Sequence, residues 1–379
     1  MSAPDFAALR RQFPLLVERT YFATHSLGPV LNETLADLDD YRRTIALRNR
    51  AVETWMNRID EIRHLFARLI NAEGDEIALG PNATGCQSAL AAALEPRPGR
   101  NVIVTTDLDF PSTRYLWHAQ ARRGFEVRNV KSTDGISVPS EDIVRALDER
   151  VAIVALPLVS YQNGALLDAK SVVRAAHAAG AIVVLDAFQA MGIVPIDVRE
   201  LGVDALVAGT QKWLCSPTSG VAFLFVKRAL AESLEPAYPG WFGHAQMFDY
   251  GRGFVPAPGA RRFEQGAPAV EAIYAARAGV QFAIDVGVPA IRARNLELTE
   301  RLIAGADALG IPLHSPRAAT ERGGTICLGV ADPSGVAKNL RELAIDVDTR
   351  PGTGIRLSAH PCNNEADCDR ALEHLARVG

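Results

Sequence analysis

The stretch GTQKWLCSP, residues 209–217, sets a lysine in a short polar turn between two apolar runs. Upstream lies VDALVAG (203–209) and downstream SGVAFLFV (219–226), and both read as buried strands bounded by turn residues. Lys212 therefore stands where the chain leaves one strand and prepares to enter the next. A lysine is ordinarily a solvated surface charge, so its surroundings must say what this one is for.

Working outward, further short apolar runs precede it: DEIALG (75–80), NVIVTT (101–106), VAIVALPLVS (151–160) and AIVVLDA (181–187). Helical patterns separate them. In ETWMNRIDEIRHLFARLINAEG (53–74) one face carries Trp55, Ile59, Ile62, Leu65, Phe66 and Ile70, and the pattern stops at Gly74. DAKSVVRAAHAAG (168–180) is a second amphipathic helix, with Asp168 near its start and Gly180 after its end. Strands apolar on both faces, alternating with helices, predict an α/β fold with a mostly parallel sheet covered by helices.

This large domain is expected over residues 21–260, and a smaller C-terminal α/β domain over 270–379. The tail shows short strands and helices in TICLGV, IDVDTR, GIRLSAH and DCDRALEHLARVG. Residues 1–20 are expected to pack on the small domain. Residues 238–268, rich in Gly, Pro and aromatics, read as irregular active-site loop, and residues 271–310 as long helix.

The bulk composition excludes several classes. With 379 residues, 48% of them hydrophobic, the chain can bury a large core and more than one compact unit. A net charge of −4 gives no reason to expect nucleic acid or an anionic membrane as partner. No apolar run approaches the roughly 20 residues that span a bilayer. The opening MSAPDFAALRRQFPLL does not read as a secretory signal. The five cysteines, Cys86, Cys215, Cys327, Cys362 and Cys368, never fall in CxxC spacing. They suggest neither a metal site nor a disulfide framework, and they fit a cytoplasmic enzyme.

Ligands of open parallel sheets gather outside the carboxyl ends of the strands, and three segments bring polar groups to that edge beside Lys212. The strand AIVVLD ends in Asp186, either a carboxylate aimed at a ligand or the cap of the next turn, and Gln189 follows in the same turn. GPNATGCQSALAAAL (80–94) enters a helix at Ala83-Thr84-Gly85, which suits a phosphate but is also an ordinary cap. Phe110 precedes a proline directly after NVIVTT, as core or as a platform for a flat ligand. Together these residues match what pyridoxal 5′-phosphate (PLP) requires. The amine forms a Schiff base, the carboxylate keeps the pyridine nitrogen protonated, the helix N-terminus holds the phosphate, and an aromatic stacks on the ring.

The order and wording of these segments resemble the class V, fold-type I PLP enzymes, and within them the kynureninases. The likeness is carried by HSLG (25–28), NATG (82–85), DFPSTRY (109–115), VSYQNG (159–164), DAFQAMGIVPIDV (186–198), GTQKWL (209–214), PGWFGHAQMF (239–248) and GIRLSAHP (354–361). The resemblance implies that Lys212 holds the cofactor and shuttles protons, with Asp186 on the pyridine nitrogen and Gln189 near the phenolic oxygen. Ala83 and Thr84 would meet the phosphate, Phe110 would stack on the ring with Ser112 beside it, and Trp241 would close the phosphate end. Arg356 would clamp the α-carboxylate of an amino-acid substrate, in a homodimer with its active site at the subunit interface.

Three departures bear on the reaction. Gln211 stands where kynureninases carry a tyrosine, Thr113 where they carry an acid, and Gly266-Ala267-Pro268 where the class has Gly-Thr-Pro. The reaction implied is hydrolytic cleavage of a γ-keto amino acid, kynurenine or a relative, to alanine and an aromatic acid. Trp55, Tyr161 and His244 are candidates for an aromatic substrate pocket or for scaffold. The alternatives are another class V enzyme (aminotransferase, epimerase or C–S lyase), a cysteine desulfurase, and a PLP-holding protein without turnover. TRPGTGIRLS (349–358) holds no cysteine for desulfurase chemistry, and the joint presence of Lys212, Asp186 and Arg356 argues against a non-enzyme.

Overall fold

A computed structural model describes residues 4–251 and 253–377, so residues 1–3 and 378–379 of the expected terminal segments, and Arg252 of the aromatic loop, lie outside it. Among the described residues twelve strands run in chain order. They are β1 (Thr20–Tyr21), β2 (Ile77–Gly80), β3 (Val102–Thr106), β4 (Glu126–Val130), β5 (Val151–Pro157), β6 (Ile182–Asp186), β7 (Ala205–Gly209), β8 (Ala222–Val226), β9 (Thr325–Leu328), β10 (Ile345–Asp346), β11 (Asp348–Arg350) and β12 (Gly354–Ser358).

The main sheet has the order β2-β8-β7-β6-β5-β3-β4. Its five strands from β4 to β7 are parallel, whereas β8 runs antiparallel to both β7 and β2. The reason lies in the opening stretch. The β7–β8 connection contains no helix, and a connection that does not cross the sheet must return antiparallel. Every residue of β3, β7 and β8 is buried, which is why these strands read as unbroken apolar runs.

The period-two alternation of a strand divides the sheet between two cores. Val104, Leu156, Leu185, Leu206 and Phe223 face the helix Ala51–Ile70, and Phe66 stacks on Phe223 at 4.4 Å. Ile103, Ile153, Val184, Val207 and Leu224 face Leu90, Trp117 and Phe263. The edge strand β4 has no fully buried residue, and its polar sequence carries no apolar signal.

The segment expected as one long helix is two, Val270–Val286 and Val288–Ala308. Gly287 separates them at φ 85°, a left-handed backbone that breaks a helix, and Pro289 suits the first turn of the next. A three-stranded antiparallel sheet, β11-β12-β9, and the parallel pair β1–β10 gather around Phe22, Leu298, Leu302, Ile326 and Leu357. The N-terminal segment touches this part of the chain through Arg10, which donates to Asp367 and to the Cys362 carbonyl, and through Arg19, which pairs with Asp346. All five cysteines are free and buried. Among the described residues no helix is long and apolar enough to cross a membrane, and no His/Cys/Asp/Glu cluster is set to hold a metal.

Candidate active site

Parallel registry brings strand ends together: Pro157 of β5 lies opposite Asp186 of β6, and Asp186 opposite Val207 of β7. A cavity of about 290 Å³ opens at this edge, lined by Ala83, Thr84, Phe110, Asp186, Gln189, Gln211 and Lys212 among others. Seven of the ten residues singled out in the sequence thus line one cavity.

Lys212 is held by its turn. Its carbonyl accepts from the Cys215 N–H, and the Gln211 carbonyl accepts from the Gly28 N–H. Gly28 belongs to HSLG, and a Cβ there would collide with the Lys212 carbonyl, so only glycine lets the two segments meet. The amine faces rings, with Nζ 4.6 Å from the centre of Phe188 and 5.8 Å from that of Phe110. Burial pushes the ammonium down to about 8, and the Arg356 and Arg350 charges act in the same direction against the pull of Asp186. A lysine so placed supplies free amine near neutral pH.

Asp186 is half-buried; its desolvation raises the carboxyl, and its hydrogen bonds and the Lys212 charge oppose that rise. Oδ1 accepts from the Phe188 N–H at 2.9 Å, and Oδ2 accepts from Thr113 Oγ1 at 3.1 Å and Gln87 Nε2 at 3.2 Å. Gln87 is itself oriented by Trp117, whose indole N–H donates to Oε1 at 3.2 Å. Gln189 is fixed at both ends, its Nε2 donating to the His25 carbonyl at 3.0 Å and its Oε1 accepting from Trp213 Nε1 at 3.2 Å.

Across the cavity the helix Ala83–Ala93 begins, capped by Asn82, whose side chain accepts from the Gly85 N–H. The N–H groups of Ala83 and Thr84 come before that of Cys86, the first to donate to a helix carbonyl (that of Asn82), and lie at the positive end of the helix. Tyr161 lines the wall, edge-on to Phe110 at 5.1 Å and 88°.

The other three residues do not line this cavity. Ser112 is partly buried on the helix Pro111–Ala119. Trp241, 41% exposed, donates to the Met247 carbonyl and stacks on Tyr250 at 6.1 Å beside a separate cavity of about 280 Å³. The aromatic loop expected at the active site therefore lies away from the Lys212 cavity of its own chain, and His244 goes with it. Trp55 is also remote, bonded to Thr44 on the helical face near Tyr41.

Arg356 lies behind Tyr161, buried, with one terminal nitrogen on the Tyr161 carbonyl and the other on Asp348 Oδ2 at 2.6 Å. Burial would raise the Asp348 carboxyl, yet its surroundings, which include the cations Arg356 and Arg350, hold it well below the usual carboxylate range.

Phe188, Gln87 and Asp109 are not singled out by the sequence. Phe188 sits between Asp186 and Gln189, and Gln87 is one helical turn after Ala83, so the marked motifs contain their positions. Asp109 lines the cavity with its carboxyl pushed up to about 8, burial outweighing the hydrogen bonds from Thr106. A half-buried carboxylate, a free amine, aromatic faces and open helix N–H groups around one space fit the ring nitrogen, aldehyde, ring face and phosphate of PLP.

A family model for Aminotransferase class-V matches residues 26–377. The uncharacterized aminotransferase YcbU of Bacillus subtilis (strain 168) is 30% identical over 367 residues, covering 97% of this chain and 96% of that one. The kynureninase of Deinococcus radiodurans is 29% identical over 386 residues, covering 97% and 92%. Among solved structures, a C-DES mutant with glycine covalently linked to its PLP cofactor superposes with a TM-score of 0.89 at 21% identity, covering 100% of both chains. The apo cysteine desulfurase of Thermococcus onnurineus NA1 gives 0.87 at 22% identity, covering 100% of this chain and 98% of that one. From the strand that delivers Asp186 to the turn that presents Lys212, this chain has fold type I and belongs to the class V aminotransferase family.

Proposed function

We propose that this protein is a PLP-dependent enzyme of kynureninase type, cleaving a kynurenine-like γ-keto amino acid hydrolytically to alanine and an aromatic acid. The observation that carries the reading is the Lys212 cavity, where a depressed amine and the half-buried Asp186 carboxylate share one space with the rings of Phe110 and Tyr161. PLP, when bound, supplies an electron sink for the bonds at the substrate's Cα. Lys212 anchors it and then moves protons at the substrate carbons, a task suited to a group titrating near neutrality. Asp186 stands for the ring nitrogen, its three hydrogen bonds favouring the anion. Ala83 and Thr84 offer N–H groups to the phosphate, and Arg356 offers a guanidinium to the substrate carboxylate. The rings of Phe110 and Tyr161 offer an aryl group an apolar wall. Likeness to the Deinococcus radiodurans kynureninase over nearly the whole chain supports the reading.

The reading includes a homodimer. Trp241, Phe248 and Tyr250 form an exposed aromatic cluster away from their own chain's cavity, as a loop serving a second copy would. Sedimentation at micromolar protein tests this, and a monomer would contradict it.

One observation favours a second reading, another class V enzyme on a different amino acid. Gln211 precedes Lys212, and an amide exchanges no proton at neutral pH, so the acid–base assistance expected beside the lysine is missing. The likeness to the aminotransferase YcbU points the same way. A desulfurase is disfavoured, since no cysteine lines the cavity. L-Kynurenine, then 3-hydroxykynurenine, added to holoprotein decides between the readings. Fluorescent anthranilate released at catalytic rates supports the first, and a shifted cofactor band without anthranilate supports the second.

A further inference from the structure

Asp348 and Arg356 face each other directly across the antiparallel pair β11–β12. Asp348 gives one carboxylate oxygen to Arg356, at 2.6 Å, and the other to Arg350 Nη1, at 2.5 Å. Arg356 is 1% exposed, and its Nε, also buried, has no hydrogen-bond partner among the described residues. His25 Nε2 lies 3.6 Å from Asp348, too far for a hydrogen bond, and burial keeps that imidazole neutral by lowering it to about 3. The guanidinium that should greet a substrate is thus already holding a carboxylate, while its Nε still has no partner.

We propose that Asp348 is an internal stand-in for the substrate carboxylate, a residue that sets how much binding energy the rest of the substrate must supply. An incoming α-carboxylate binds the Nε and Nη2 edge of Arg356 only by displacing Asp348, which remains on Arg350. Removing Asp348 without replacement would strand a buried cation, so the exchange must be carboxylate for carboxylate. An intramolecular competitor acts at high effective concentration and lowers the apparent affinity of every carboxylate ligand alike. Small amino acids, with little else to contribute, displace it only at high concentration. Substrates with a large apolar body recover the difference against Phe110 and Tyr161. At a given concentration the site is therefore filled by bulky, aromatic amino acids sooner than by alanine or glycine, the preference coming from Phe110 and Tyr161 and the threshold from Asp348.

The inference rests on Arg356 as the substrate's carboxylate partner, and the test separates the two. L-Alanine is titrated into wild-type holoprotein, Asp348→Asn, Arg350→Gln and the double variant, following the visible cofactor band and the thermal midpoint. Asp348→Asn, near-isosteric and neutral, is expected to lower the half-saturating concentration at least tenfold. Arg350→Gln, which deprives Asp348 of its resting partner, is expected to raise it, and to change nothing when combined with Asp348→Asn. An Asp348→Asn affinity equal to or weaker than wild type overturns the stand-in while leaving Arg356 as the carboxylate partner. A band moved by no amino acid in any of the four proteins removes Arg356 from that role, and the stand-in with it.

Discussion

The Thr113 hydroxyl lies 3.1 Å from Oδ2 of Asp186 and donates to it. The residue that stands where kynureninases carry an acid is thus not a second charge beside the cofactor site but a neutral donor to the anion already there. A donor to the ionised form lowers a carboxyl's pKa, opposing the rise that burial imposes on Asp186. Thr113→Val keeps the shape and removes the donor. Losing a hydrogen bond to a charged group costs about 1.5–3 kcal/mol. Equilibrium dialysis should therefore show PLP held at least about tenfold more weakly, and unchanged retention would show that the hydroxyl is idle.

Lys212 should leave a pH signature in the cofactor-free protein. Its pKa falls from 10.5 to about 8 on folding, so the neutral form is favoured and the shift opposes stability. The penalty is fully present below about pH 8, and fades as pH rises toward the unfolded value. A shift of that size is worth about 3 kcal/mol. Lys212→Met should therefore stabilise the apo protein at pH 7 by up to about that amount, and much less at pH 10.5, in urea unfolding. An equal effect at both pH values would contradict the depressed pKa.

Gly28 is where the N-terminal HSLG segment meets the lysine turn. Its N–H donates to the Gln211 carbonyl at 2.8 Å, and any Cβ would meet the backbone of Lys212 and Cys215. Gly28→Ala must push the turn away. Overpacking of this kind costs about 1–3 kcal/mol or more, and here it should also displace the amine. Thermal unfolding and the cofactor band should fall together, and a stable variant with a normal band would refute the contact.

A buried ion pair ties the aromatic loop's end to the sheet. Arg63 and Glu264 are each about 5% exposed or less, and Glu264 Oε1 also accepts from the Leu79 N–H at 2.8 Å. Glu264→Ala strands the arginine and should cost about 3–5 kcal/mol. Urea unfolding measures it, and a loss below about 1 kcal/mol would mean that Arg63 finds another partner.

Much of this is legible in the sequence because the informative positions are backbone-determined. Lys212, Asp186, Ala83 and Thr84 sit at strand ends or a helix start, and strand ends show as the point where an apolar run stops. The unread parts depend on contacts between distant segments. Gln87 lies within a quoted helix segment, but its reach to Asp186 across 99 residues has no local mark. The Asp348–Arg356 pair needs the β11–β12 register, and three-residue β11 has no fully buried position to announce it. The β8 reversal and the break at Gly287 escape the sequence for another reason. Apolar runs carry no direction, and Gly287 reads like the other glycines of that helical pattern until its positive φ is seen.

The most direct test of the central claim, that Lys212 carries the cofactor opposite Asp186, is chemical trapping. Holoprotein is reduced with borohydride, digested and mapped by mass spectrometry. A phosphopyridoxyl group is expected on the peptide containing Lys212, and no such label in Lys212→Ala. A label on a different lysine, or full labelling of the Ala variant, would contradict it.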